Sequence, residues 1–235
     1  MRIRIAIEDG AENRSQAWAL DYPGCFSYGA DTSEAILTFP MALISYAAWV
    51  KKNAGQESWM PVLGNFDIQL VDTWKVYTIN DQYELADEGY EVNAWFRDDW
   101  RPLTGTDVEH GLQILAWSRA DLLATVQGLT PAQLDEDHPG ERWSIAGILK
   151  HIAGAEWWYL DRLGMAVIQR AEVKPDPFER LAQIRPLLTD ALTSLVESSM
   201  VVGVDGEFWS PRKLLRRAVW HELDHIQHIQ KIINP

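Results

Sequence analysis

Residues 221–229 read HELDHIQHI and hold three of the six histidines in the chain. On an α-helix, at 100° and 1.5 Å per residue, His221, His225 and His228 share one stripe about 60° wide. His221 and His225 sit one turn apart, about 6 Å along the axis, and both rings can turn onto one ion. His225 and His228 could also do so, but His221 and His228 are about 10 Å apart, too far for all three to share a metal. One pair therefore acts together, and a further ligand must come from another helix. Leu214, Leu215, Ala218, Ile226, Ile229, Ile232 and Ile233 mark the apolar side of this helix. His225 falls within that sector and His221 at its edge, so these two form the inward pair. His228 lies farther out, as a solvated residue or a neighbour of the ligands. For the third ligand, His151 stands beside the Ile145–Ile152–Leu160 stripe of an earlier helix, with His110 and His138 as rivals.

Three neutral imidazoles leave coordination positions open, whereas a closed structural zinc site takes a fourth protein ligand. Zinc and nickel suit such a set best, and imidazole also accepts iron or cobalt. A divalent ion held this way acidifies a bound water or thiol, so hydrolysis and thiol transfer both follow from one centre.

Two carboxylates flank these histidines. Glu222 turns towards the core side of its helix, where it needs a partner. It could anchor a ligand histidine through the second ring nitrogen or act catalytically as a proton shuttle; the competing reading is a plain surface glutamate. Glu156, five residues after His151, is expected in a structural ion pair. The run RKLLRR, residues 212–217, places four cations in the first turns of the last helix, against its dipole. Pairing with surface acids is the favoured reading, and attraction of an anionic substrate the other. Trp157, Trp158, Tyr159 and Trp220 pack the helices or wall a pocket. Cys25 reads as a turn residue, because no histidine is near it in sequence.

The elements that must carry these groups divide in two, giving a multidomain chain with an α+β domain over residues 1–100 and an all-α four-helix bundle over residues 106–235. In the first, RIRIAIE alternates as a strand with Ile3, Ile5 and Ile7 on one face. SQAWALDYPGCFSYG reads as two strands about a turn at Pro23 and Gly24. A helix follows, capped at Thr32 or Ser33 and kinked or divided at Pro40. FDIQLVDTWKVY and YEVNAWF read as further strands. Beyond DDWRPLTGTD everything reads as helix: 107–128, 144–164, 177–198 with Pro186 inside, and 211–233 with Ser210 as cap. Helices of this length on modest loops make a four-helix bundle.

The net charge is −13, with 7 basic and 16 acidic groups in residues 1–100, so a nucleic-acid partner is disfavoured. No apolar run approaches the roughly 20 residues of a membrane helix, and the N-terminus lacks the apolar core of a secretion signal. The single cysteine fits a cytoplasmic location.

Two resemblances emerge from these motifs. YPGCFSYGADTSEA resembles the HicB family of antitoxin-like domains through Pro23, Gly24, Cys25, Gly29, Thr32, Glu34 and Ala35, over about the first 80 residues. It implies partner binding, without the DNA-binding segment that usually ends such antitoxins; the competing and favoured reading is a structural or dimerising module. WSIAGILKHIAGAEWWYLDRL followed by HELDHIQHI resembles the DinB/YfiT-like superfamily of metalloenzymes, over residues 106–235. That resemblance implies a four-helix bundle with His151, His221 and His225 as metal ligands; His228 departs from it, standing where the family commonly has a small or polar residue, and could lend an extra donor near the metal. It also implies a small-molecule substrate, with low-molecular-weight thiols as cofactor or substrate of its S-transferase members. The alternative is a non-catalytic, toxin-antitoxin-like or partner-binding protein whose metal is only structural. A homodimer fits either reading.

Overall fold

The computed structural model describes residues 1–234. They divide into two compact units: residues 1–101 with 201–209, and residues 102–200 with 210–234.

The first unit is built on a four-stranded sheet of order β3-β2-β1-β4. Strands β1 (Arg2–Asp9), β2 (Ser15–Ala19) and β3 (Phe26–Gly29) run antiparallel to their neighbours, and β4 (Asp67–Lys75) runs parallel to β1. Ile3, Ile5 and Ile7 are fully buried, as the alternation requires, and Ala6 on the opposite face is buried too. The pairing of β1 with β4 slips by one residue at Val71, a β-bulge. Helix α1 (Thr32–Ala54) packs on β2 and β3. Its cap is Asp31 rather than Thr32 or Ser33: the Asp31 carboxylate accepts from Glu34 N, and Glu34 reaches back to Ala30 N. Pro40 does not divide α1, which runs on as one element. The tight entry from β3 into α1 explains Gly29. A Cβ there would stand 2.2 Å from Ala35 N and 2.8 Å from Asp31 O, so only glycine fits.

The later part of this unit departs from expectation. YEVNAWF is not a full strand; only β6 (Tyr90–Glu91) pairs, with β5 (Thr78–Ile79). A hairpin of β7 (Val202–Val204) and β8 (Glu207–Trp209) interrupts the stretch that reads as wholly helical, and it belongs to this unit. Glu207 ties it in, accepting from Asn93 N at 3.0 Å, Trp209 Nε1 at 2.8 Å and Tyr90 OH at 3.2 Å. Within the helical stretch Thr32–Glu57, which is α1 and the 3-10 turn after it, an 18-residue window reaches a mean hydropathy of 1.3, long and apolar enough to cross a membrane by length and composition alone. That corrects the expectation that no apolar run approaches such a length.

The second unit is the helical bundle of α2 (Gly105–Val126), α4 (Ile145–Arg162), α5 (Pro177–Ser194) and α6 (Pro211–Ile233), with a short extra helix, α3 (Pro131–Asp135). Each long helix starts on an oxygen-bearing cap: Thr104, Ser144, Asp176 and Ser210. Pro177 and Pro211 occupy first-turn positions that need no N–H donor. The core of this unit includes Leu122, Ile148, Leu149, Ile152, Ile184, Ile226 and Ile229, all but Ile226 (6% exposed) fully buried. Helix α6 packs on α2 and α4, and α5 on α4 and α2. The sequence reading placed the ends of α2, α4 and α5 two to four residues too far along, because chain that leaves a helix in a turn keeps its helical composition.

Candidate metal centre

His151 stands in the second turn of α4, His221 and His225 in the middle of α6. Packing of α4 on α6 brings the three rings together. His221 Nε2 lies 3.0 Å from His151 Nε2 and 3.1 Å from His225 Nε2. One ligand nitrogen from each residue falls within 4.8 Å of the others, and no fourth His, Cys, Asp or Glu joins the group among the described residues. Around a tetrahedral zinc with N ligands at about 2.0–2.1 Å, nitrogens stand about 3.3 Å apart, close to these spacings.

The donor chemistry fits an ion. Burial, then the charges of His225, His151 and Arg217, hold the buried His221 well below the ordinary imidazole value. Burial, with His151 and His228, takes His225 down to about 3. Burial and the Arg142 guanidinium lower His151. Neutral imidazole is the form that binds metal, so three depressed basicities pre-set the ligand state. Three converging nitrogens cannot satisfy one another with ring protons alone, whereas one cation satisfies all three lone pairs.

The surrounding groups aim the ligands. The Trp143 ring stacks on His151 at 4.4 Å and 27°, with the Arg142 guanidinium 4.6 Å from the indole centroid. Gly147, one turn before His151, makes room, since a Cβ there would meet Trp143 Cβ at 2.9 Å. Trp143 is not singled out by residue type or spacing in the sequence; the glycine four residues ahead of the histidine was the available signal. Tyr159 and Trp220 bring their rings to 6.2 and 5.7 Å from His221. Trp157 instead packs against the core and donates to the Ile168 carbonyl at 3.0 Å. Of the other histidines, His228 turns to Glu141 at 2.6 Å with its ring 6.0 Å from His225, while His110 and His138 stay outside the cluster.

The two carboxylates belong to something else. Glu222 is fully buried, which rules out the surface reading. It accepts from Arg119 Nε at 2.7 Å, lies 2.8 Å from an Arg185 guanidinium nitrogen, and accepts a hydrogen bond from the Ser118 hydroxyl. Glu156, also buried, accepts from Arg119 at 3.0 Å and from Arg185 Nε at 3.0 Å. Two guanidinium and two carboxylate groups from α2, α4, α5 and α6 thus close into a neutral buried quartet. Burial alone would raise the Glu222 pKa, but Arg185 and Arg119 outweigh it and hold it below the usual carboxylate range. Glu222 therefore stays ionised and fully engaged, without a hydrogen bond to any of the three histidines, and is poorly suited to carry protons. In the RKLLRR run Arg212 pairs with an acid as expected, bonding Asp107 at 2.8 Å and also the Pro102 carbonyl at 2.7 Å, while Lys213 is fully buried and Arg216 nearly so.

A bundle whose α4 and α6 face three imidazoles at one point is a frame for an open three-histidine centre. Residues 114–229, which span all three histidines, match the model of the DinB superfamily. Two solved structures are similar. TT2238, a four-helix bundle protein, is 22% identical over 53% of this chain and 98% of its own, with a TM-score of 0.41. YfiT from Bacillus subtilis, described as a probable metal-dependent hydrolase with an unusual four-helix bundle topology, is 17% identical over 60% and 94%, with a TM-score of 0.44. No curated protein matches the chain. The family match lies in the helical unit, so the HicB-like reading of the first unit rests on its own motif.

Proposed function

We propose that the helical unit is a metal-dependent enzyme in which His151, His221 and His225 hold one divalent ion, zinc or nickel, through Nε2. The observation that carries this is the meeting of three largely buried, neutral imidazoles, His221 Nε2 lying 3.0 and 3.1 Å from Nε2 of His151 and His225, with no fourth His, Cys, Asp or Glu in the group among the described residues. Such a set leaves room for a small molecule, unlike the filled sphere of a structural zinc. When bound, the ion would lower the pKa of a thiol or water towards neutrality and so supply a nucleophile. The DinB resemblance favours the thiol and hence S-transfer, with hydrolysis as the other outcome of the same centre.

The chain's own residues orient and deprotonate. Trp143 and Gly147 fix the plane of His151. The quartet fixes α6 at the residue next to His221. His228, held by Glu141 at the edge of the centre, would take the proton released by the nucleophile, one of the roles the sequence left open for Glu222.

Metal content after purification and dialysis tests the ligand set. Wild type is expected to retain close to one ion per chain, and H151A, H221A and H225A to lose at least about ten-fold in affinity, with H228A unaffected. A screen of cellular thiols against electrophiles then separates catalyst from scaffold. H228A should lower turnover of the loaded enzyme by about 10²-fold. Full metal retention by all three alanine variants would contradict the ligand assignment, and a loaded protein inert towards every thiol, ester and amide offered would contradict the catalytic one.

A further inference from the structure

Helix α1 buries one face and leaves the opposite face bare. Ala35, Phe39, Leu43, Tyr46 and Val50 pack inward. Leu37, Met41 and Ile44 are 78%, 66% and 46% exposed, and Ala48 is exposed beside them. At 100° per residue these four side chains fall within about 60° of arc, a continuous apolar row. Such a row on a surface marks a place where something docks.

Charge says what. Asp31 and Glu34 stand exposed at the N-terminal end of the row, Lys51 and Lys52 at its C-terminal end. The Glu34 oxygen that accepts from Ala30 N is Oε2, and Oε1 accepts from no described residue. Neither lysine side chain has an ion-pair partner among the described residues. The helix is therefore complementary to itself when reversed: about a twofold axis near residue 43, the acidic end of one copy meets the lysines of the other. Parallel pairing would set lysine against lysine.

We infer that α1 is a self-association surface, on which a second copy of this chain lays its own α1 antiparallel. Leu37, Met41, Ile44 and Ala48 of the two copies interdigitate, and Glu34 of each reaches Lys51 and Lys52 of the other. The contact is isologous and closes as a dimer. Antiparallel helix dipoles add to the attraction. One helix of 23 residues, about 34 Å long, offers less area than a standard interface, so the dimer dissociates in the micromolar range. Nothing in this inference depends on the metal reading.

Sedimentation equilibrium of the full chain across the micromolar range tests it. The mass is expected to rise from 26.8 kDa towards twice that value. L37E/M41E should remain monomeric with an unchanged circular dichroism spectrum, and K51E/K52E should weaken the dimer at least about five-fold. Cys25 is 2% exposed and so leaves engineered cysteines to report alone. A short bis-maleimide should join M41C chains but not S33C chains, whose cysteines lie at opposite ends of the antiparallel pair. The cysteine pattern decides even if L37E/M41E fails to fold. The inference is overturned by a wild type that stays monomeric, by a dimer indifferent to both charge and apolar variants, or by cross-linking of S33C as readily as M41C. It is equally overturned by a monomer that sediments with phosphatidylcholine vesicles, which would make α1 a membrane surface.

Discussion

At the scale of single residues, the chemistry of the centre turns on proton occupancy. An unfolded chain takes protons on its histidines near pH 6.5, whereas the folded, metal-free chain refuses them at His151, His221 and His225. Folded pKa values below the unfolded ones mean that the unfolded state binds more protons as pH falls. The stability these residues allow is thus complete above about pH 6.5 and is lost on acidification, for His225 down to about pH 3. The urea midpoint of metal-free protein should fall between pH 7.5 and 5.5, a range above the titration of Glu222, and H225Q should flatten the slope. A midpoint constant over that range would show that the rings are not held neutral. The spacing of His221 and His225 on one helix stripe was legible in the sequence, because helix geometry alone sets it. Which other histidine meets them was not legible from angles, since His151, His110 and His138 differ only in what tertiary packing does with them.

Among elements, the quartet is the feature a linear reading misses. The need of Glu222 for a partner could be argued from its helix angle. Arg119 and Arg185 could not be named, since they lie on other helices far away in sequence. Removing one member leaves opposite charges buried and uncompensated. E222A should therefore destabilise the bundle by about 3–5 kcal/mol. Replacing all four together, R119M/E156L/R185M/E222L, should cost far less or even stabilise, because the desolvation cost disappears with the charges. Urea unfolding of both proteins measures the contrast, and equal losses would mean that the quartet is not acting as a unit. The β7–β8 hairpin escaped for a related reason: with three residues per strand, its hydrophobic pattern is too short to register as alternation. Long helices with a cap and a first-turn proline, such as α6, announced themselves.

For the whole molecule, metal binding and folding are linked. An ion that binds only the folded bundle should raise its apparent stability by about 2.7 kcal/mol at a hundred-fold excess over its dissociation constant. A thermal scan with and without zinc or nickel should show that rise, and H221A should abolish it; an equal rise in H221A would place the ion elsewhere. The division into a sheet-based and a helical part was visible as a change of grammar near residue 101, but the return of residues 201–209 to the first unit was not, because a long-range excursion leaves no local mark. The most direct test of the account is anomalous diffraction from crystals grown with zinc or nickel. The account predicts one peak about 2.0–2.1 Å from Nε2 of His151, His221 and His225, with at least one further position held by water or a small molecule. No peak among these rings, or an ion closed by a fourth protein side chain, would contradict it.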